Sequence, residues 1–387
     1  MERPKILMLL GYFPRVRGGS EYQAYLLACR LKEQYEVYYL FSHDSHKRIQ
    51  KQDGFTLCQI PKRFLARRLL GRVFVLDYFA VRALLSDISP HLIYNRGANA
   101  YTGVAARYAR KHGRRLVWHI ASQRDVEPCG SNSFRGRIFD HIDTKCVEYG
   151  IRNADAIIGQ TVHQDKLLQQ NYGRRCDLIV GNSHPSSSEP IVKDKTITVV
   201  WIANLKPLKQ PEVFIRLARK LQDHRHVRFI MVGRPANGSY RRRLERDMVG
   251  LKTFSYIKEQ SIGEVNRILL RSHILVNTSQ YEGFPNTFVQ AWFRQVPVVS
   301  LNVDPDDVIK THGLGLHSVS FEGLVGDVKR LIKDRALRES MGERAQEYAR
   351  RHHSMGPNIA RIVSLFETVG GASFHGQWQQ ARATDSQ

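Results

Sequence analysis
Short apolar runs alternate with amphipathic stretches along the whole chain. "KILMLLGYF" (5–13) and "YEVYYLF" (35–41) read as strands. "SEYQAYLLACRLKE" between them reads as a helix, with Ser20 and Gln23 spaced for a capping box. "HLIYNRG" (91–97), "RRLVWHIAS" (114–122) and "ADAIIGQT" (154–161) read as further strands. Strand–helix alternation of this kind predicts a parallel sheet with helices on both faces.

The alternation restarts after "NSHPSSSEP" (182–190), a Ser/Pro-rich patch with the character of a linker. A second strand series follows: "ITVVWIAN", "HVRFIMVG", "LKTFSYI", "SHILVNTS" and "VPVVSLN". The helical segments "PEVFIRLARKLQ" and "IGEVNRILLRS" fall between its members. The pattern therefore predicts an α/β protein of two Rossmann-like, doubly wound domains, 1–185 and 191–371, with a tail at 372–387. At roughly 100–200 residues per domain, the length of 387 residues agrees. In such folds ligands bind at the carboxyl ends of the strands, and a cleft between two domains is the expected site.

Composition narrows the class. With 42% hydrophobic and 25% charged residues the chain is an ordinary globular protein. Cys29, Cys58, Cys129, Cys146 and Cys176 form no CxxC pair, so neither a disulfide framework nor a zinc site is signalled, and a reducing cytoplasm is expected. The amino terminus reads as a first buried strand and not as a signal peptide, and no apolar run is long enough to span a bilayer. No GxGxxG follows the first strand, and no GxxxxGK[ST] occurs anywhere.

Charge adds a partner. The formal net charge is +23, and residues 61–115 alone carry 12 basic and 2 acidic residues. Such a concentration expects an anionic partner: membrane lipid, a phosphorylated acceptor or nucleic acid. Within it, Leu65, Leu69, Val73 and Leu76 fall at helical spacing. Beside them Arg63 and Arg67, and Arg68 and Arg72, make basic i,i+4 rows, as in a helix lying on an anionic membrane surface. The alternative is a core helix with an exposed basic edge. No nucleic-acid motif accompanies the charge, and aromatics are not interleaved with it for stacking, so nucleic acid is not expected as a partner.

Candidate chemistry centres on "SQYEGFPNTFVQAW" (279–292), where a strand runs into a loop and then a helix. Pro285 and Asn286 mark a helix start whose first amides suit a diphosphate. Gly283 allows close approach of a ligand, Glu282 can accept from vicinal sugar hydroxyls, and Gln290 lies about two turns further on. Local physics fits a capped core helix equally well.

This stretch resembles the EGFP-x-x-x-x-E signature of family 4 glycosyltransferases, which have the GT-B fold. Other segments match that family in order. They are "GYFPRVRGGSEYQAYLLACRL", "LVWHIAS", "VVWIANLKPLKQPEVFIRLARKL", "FIMVGRP" and "VPVVSLNVDPDDVIKTHGLG". The resemblance implies a retaining sugar transfer from a nucleotide-diphosphate sugar to an acceptor hydroxyl on a glycan or lipid-linked acceptor. It also implies no cofactor and no essential metal, and the work is cell-surface glycan assembly, peripheral on the inner face of the membrane. Glu282 with Gly283, Phe284 and Pro285 would hold the donor sugar and diphosphate. Lys209 would neutralise the leaving diphosphate, His119 would sit beside the donor sugar and acceptor, and Gly18 and Gly19 would let a loop close. Residues 254–258 would pass the nucleobase.

Three positions depart from the family pattern. Asn204 replaces its phosphate-binding arginine, leaving Lys206 or Arg234 to supply the cation; Gln290 replaces its second glutamate, the ribose ligand; and Gln210 replaces the glycine after Lys209. Two rivals stay open: an epimerase or phosphorylase-like enzyme of the same fold, and a sugar-nucleotide or polyanion binding protein without catalysis. Arg96 fits either a cleft-facing or a solvated role.

Overall fold
The computed structural model describes residues 3–13, 15, 18–42, 48–60, 77–127, 137–186 and 189–371. The chain forms two compact units, Met1–Gly181 with Gly356–Gln387, and Asn182–Met355.

The first unit holds β1 (Lys5–Met8), β2 (Glu36–Ser42), β3 (Arg48–Gln52), β4 (Phe55–Ile60), β5 (Leu92–Arg96), β6 (Arg115–His119), β7 (Ala156–Gly159) and β8 (Leu178–Ile179). Their order in the sheet is β3-β4-β2-β1-β5-β6-β7-β8. Every pairing is parallel except β3 with β4. That hairpin departs from the all-parallel expectation. Its turn is Asp53-Gly54, both at positive φ (55° and 84°), the two-residue turn whose twist matches paired strands. Every residue of β5 and β7 is buried, as a sheet covered on both faces requires.

Two local expectations fail. The first helix, Gly19–Leu31, starts from Gly18 in extended conformation with no side-chain cap, so Ser20 and Gln23 form no capping box; Gln23 is buried instead. The last helix, Met355–Gly370, belongs with the first unit, not with the second domain in which the sequence placed 356–371. It buries Ile359, Ile362, Val363 and Phe366, and the Phe366 ring lies 5.7 Å from that of Tyr94 on β5.

In the second unit, β9 (Ile197–Ile202), β10 (Val227–Val232), β11 (Phe254–Ile257), β12 (Ile274–Asn277), β13 (Val298–Ser300) and β14 (Gly315–His317) form a parallel sheet of order β11-β10-β9-β12-β13-β14. Helices bury Phe214, Leu217 and Leu331 with one set of strand residues, and Phe288, Trp292 and Ile309 with another. Residues 254–258 are thus mostly strand, not loop.

Both sheets reverse direction once. In the first unit the reversal lies between β1 and β5, and in the second between β9 and β12. The loops leaving neighbouring strands separate there, which opens a crevice at their carboxyl ends. Gly18 follows β1, Arg96 ends β5, and His119 ends the next strand. Lys209 follows β9 and Glu282 follows β12.

Candidate active site
At the second unit's reversal, Lys209 and Glu282 form an ion pair between Lys209 Nζ and Glu282 Oε1. Their side chains are 21% and 18% exposed, so the pair is sheltered but open to a ligand. Ser279 Oγ donates to the same Oε1 at 2.7 Å. Asn277 sets Ser279 in turn, its Oδ1 accepting from Ser279 N at 3.1 Å. Thr278 ties the two loops together. Its hydroxyl lies 2.7 Å from Lys209 O and 2.9 Å from Gln210 O, and accepts from Trp201 Nε1 at 2.8 Å. Gln280 N donates to Leu208 O at 3.0 Å. Ser279, Thr278 and Asn277 were not singled out from sequence, although polar residues closing an otherwise apolar strand are a readable signal.

The turn bearing Lys209 is a short 3-10 helix, Pro207–Lys209. Gln210 ends it in the left-handed region, at φ 47° and ψ 53°. This is where the resembled family carries glycine, so Gln210 keeps the glycine-type backbone despite its side chain. The loop after β9 also runs close to β10: a Cβ on Gly233 would stand 1.7 Å from Ala203 O.

The loop after Glu282 is anchored from below. Asn182 Nδ2 donates to Phe284 O at 2.5 Å, and the Phe284 ring packs 4.7 Å from that of His353. His353 Nδ1 meets Asn182 O at 2.7 Å, so the imidazole donates there. Burial holds the His353 imidazole down at about 4, which keeps it neutral. The following helix, Asn286–Trp292, is capped by Pro285, with Asn286 as its first residue and not its cap.

The departing residues occupy defined places. Gln290 is buried, and its Nε2 donates to Asn266 Oδ1 at 3.1 Å. Asn204 lies in the turn after β9, its carbonyl accepting from Lys206 N at 2.8 Å. Arg234 is held in a two-pronged pair with Glu259, at 3.1 and 2.8 Å, so of the two cations offered as replacements Lys206, which is exposed, is the one uncommitted among the described residues. In "VDPDDV", Asp304 accepts from Ile309 N (2.8 Å) and Lys310 N (3.3 Å), a capping role.

In the first unit His119 is buried at the end of β6. Tyr94 Oη lies 2.7 Å and Arg96 Nη1 3.3 Å from its Nδ1. Burial, then the Arg96 charge, pushes the imidazole far below its ordinary range. Arg96 is thus buried against His119 and not a solvated loop residue. Gly18 caps the first helix; Glu21 fills the space beside it, its Oε2 2.1 Å from where a Cβ would stand. Gly19 is the first residue of that helix. Arg63, Arg67, Arg68 and Arg72 lie outside the described residues, as does the tail 372–387.

Comparison with known proteins adds the class. Residues 185–348 match the family model described as glycosyl transferases group 1. That match spans less than half of the chain, and the fold is that of the GT-B glycosyltransferases. Among solved structures it resembles a sucrose-phosphate synthase from Thermosynechococcus elongatus (TM-score 0.73, 13% identity, 95% of this chain and 99% of that one). It also resembles Anabaena HepE, solved in complex with UDP and glucose (0.71, 16%, 94% and 100%). A third is the lipopolysaccharide outer core galactosyltransferase WaaB (0.62, 15%, 93% and 99%). No curated protein sequence matches the chain. Among the described residues no helix is long and apolar enough to cross a membrane.

Proposed function
We propose that the protein is a retaining glycosyltransferase that moves a sugar, of the hexose class, from a nucleotide-diphosphate sugar to an acceptor hydroxyl. The observation that carries this reading is the Lys209–Glu282–Ser279 cluster at the second sheet's reversal. A carboxylate that accepts from sugar hydroxyls and an ammonium that meets phosphate stand together there. In the reaction the bond between the anomeric carbon and the diphosphate oxygen breaks. The acceptor oxygen bonds to that carbon from the same face, and its proton passes to the departing diphosphate. No enzyme nucleophile is needed. The protein's task is to stabilise charge building on the diphosphate, and Lys209 supplies the fixed positive group.

Lys206 serves the phosphates in place of the absent arginine. Gln290, its nitrogen turned to Asn266, offers its oxygen to a ribose hydroxyl. His119 serves the sugar, and Gly18 and Gly19 the loop beside it. No metal or cofactor is assigned a part. Likeness to a structure holding UDP and glucose supports a nucleotide-sugar donor, and likeness to a lipopolysaccharide enzyme supports a cell-surface glycan acceptor. We place the protein at the inner face of the membrane, held by Arg63, Arg67, Arg68 and Arg72; the charge of residues 61–115 supports this.

A thermal-shift screen of UDP and GDP sugars, followed by product analysis with and without acceptor, tests the reading. Transfer only when acceptor is present supports it. Sugar conversion without acceptor identifies an epimerase. Asn204 and Gln290, both neutral, favour one second reading, a binding protein without catalysis. Tight binding with no turnover establishes that one.

A further inference from the structure
His119 carries a buried hydrogen-bonding atom that the described residues leave unused. The residue is 2% exposed, and among the described residues its Nε2 meets no partner. Buried polar atoms are rarely left so, and those that are call for an explanation. The opposite ring nitrogen is crowded. β5 and β6 pair in register with Arg96 opposite His119, and Tyr94 lies two residues earlier on β5. Tyr94 Oη stands 2.7 Å and Arg96 Nη1 3.3 Å from Nδ1.

The polarity of these contacts follows from chemistry. A guanidinium only donates. Arg96 donates toward Nδ1 and also hydrogen-bonds the Tyr94 hydroxyl, which leaves the Tyr94 proton to point at Nδ1. Nδ1 is therefore the acceptor and must be bare. Burial and the Arg96 charge keep the ring neutral, so its single proton sits on Nε2. Asp125 is the nearby counter-charge to Arg96; its carboxylate is occupied by the amides of Ala121 (2.7 Å) and Ser122 (2.9 Å). Tyr94 is held in place from behind by Phe366.

We propose that Tyr94 and Arg96 are positioning residues that fix His119 as an Nε2–H donor, aimed at an acceptor oxygen of a bound sugar. The proposal rests on the transferase reading and adds two residues with no role in it. It also makes the histidine a donor of one defined polarity and not a base. A proton acceptor at this position would need the opposite tautomer or a bare Nε2.

The test is the nitrogen NMR signature of the His119 ring in full-length protein labelled at histidine, assigned by loss of the signal in His119→Gln. In the unsubstituted protein Nε2 is expected protonated and Nδ1 bare. Tyr94→Phe, which keeps the ring against Phe366, and Arg96→Met are each expected to admit the Nδ1–H form and to lower kcat/KM by about 10-fold or more. Tyr94→Phe alone carries the test if Arg96→Met does not fold. UDP-glucose, and in parallel GDP-mannose, is added to saturation, and the one that binds is expected to shift the Nε2–H resonance. An Nδ1–H ring in the unsubstituted protein overturns the proposal. So does an Nε2–H resonance that stays put while the bound sugar nucleotide protects the Lys209–Glu282 turn. If no sugar nucleotide binds at all, the transferase reading falls, while the tautomer comparison still decides whether Tyr94 and Arg96 set the ring.

Discussion

Removal of the Glu282 carboxylate is the sharpest perturbation of the site. Glu282→Ala takes away the ionic contact with Lys209 and the hydrogen bond from Ser279 Oγ at 2.7 Å. Both contacts are to a charged group and are worth about 1.5–3 kcal/mol each, so roughly 3–6 kcal/mol of local order is at stake. A hundredfold rate loss corresponds to about 2.7 kcal/mol, so forfeiting about half of that order is enough to produce it. Glu282→Ala is therefore expected to lower kcat/KM for the donor by at least about 100-fold. Glu282→Gln keeps an acceptor for Ser279 but loses the charge, and is expected to fall between the two. Initial rates against donor concentration at fixed acceptor give these values. Adding Lys209→Met completes a double-mutant cycle, and contacting residues should couple by about 0.5–3 kcal/mol. If Glu282→Ala costs less than about threefold, under about 0.7 kcal/mol, the assignment of Glu282 to the reaction is wrong.

Three further outcomes follow from the same geometry. Gln210 holds a left-handed backbone that costs a side-chain-bearing residue about 1–2 kcal/mol, against about 0.5–1 kcal/mol of added chain entropy for glycine. Gln210→Gly should raise the free energy of unfolding, measured by denaturant titration, by about 0.5–1 kcal/mol; a lower value refutes the account of the turn. Burial holds the His184, His273 and His353 imidazoles at about 4, while in the unfolded chain each takes a proton near its ordinary value. Protonation thus favours the unfolded chain, so stability is full above about pH 6.5 and declines toward pH 4, by about 1.4 kcal/mol per pH unit for the fully buried His353 alone. Unfolding midpoints that stay constant from pH 7 to pH 4.5 contradict this. Replacing Arg63, Arg67, Arg68 and Arg72 by Gln should cost about 4 kcal/mol of binding to anionic vesicles, nearly a thousandfold. Unchanged co-sedimentation ends the docking idea.

Much of this was legible because the inner strands of each sheet are short and apolar. Every residue of β12 and β13 is buried, and such runs stand out from the amphipathic helices around them. The pairing of Lys209 with Glu282 was also within reach, since both follow strands of one series. The β3–β4 hairpin was missed although Asp53-Gly54 signalled it, because "RIQKQ" is polar enough to read as loop. Gln210 departs from the resembled family's glycine, yet it takes the left-handed backbone that glycine would take. Tyr94, Asn182 and the last helix were out of reach for another reason. Their roles come from contacts with His119, Phe284 and Tyr94 that only the folded chain creates, and no local pattern encodes a partner so far along the sequence.

The strands of chain that enter and leave the second unit are fastened to each other. His184 N donates to His353 O at 3.1 Å, His184 and Ser354 form a parallel bridge, and His353 Nδ1 closes on Asn182 O. Residues 182–355 are thus inserted into the first unit as a loop whose two ends are already joined by the protein's own hydrogen bonds. Such an insert carries its own closure, so the first unit's sequence can diverge on both flanks without disturbing the register of the segment that presents Lys209 and Glu282. The same pinned ends make 182–355 a natural unit of exchange between related chains, a cassette that could be transplanted whole.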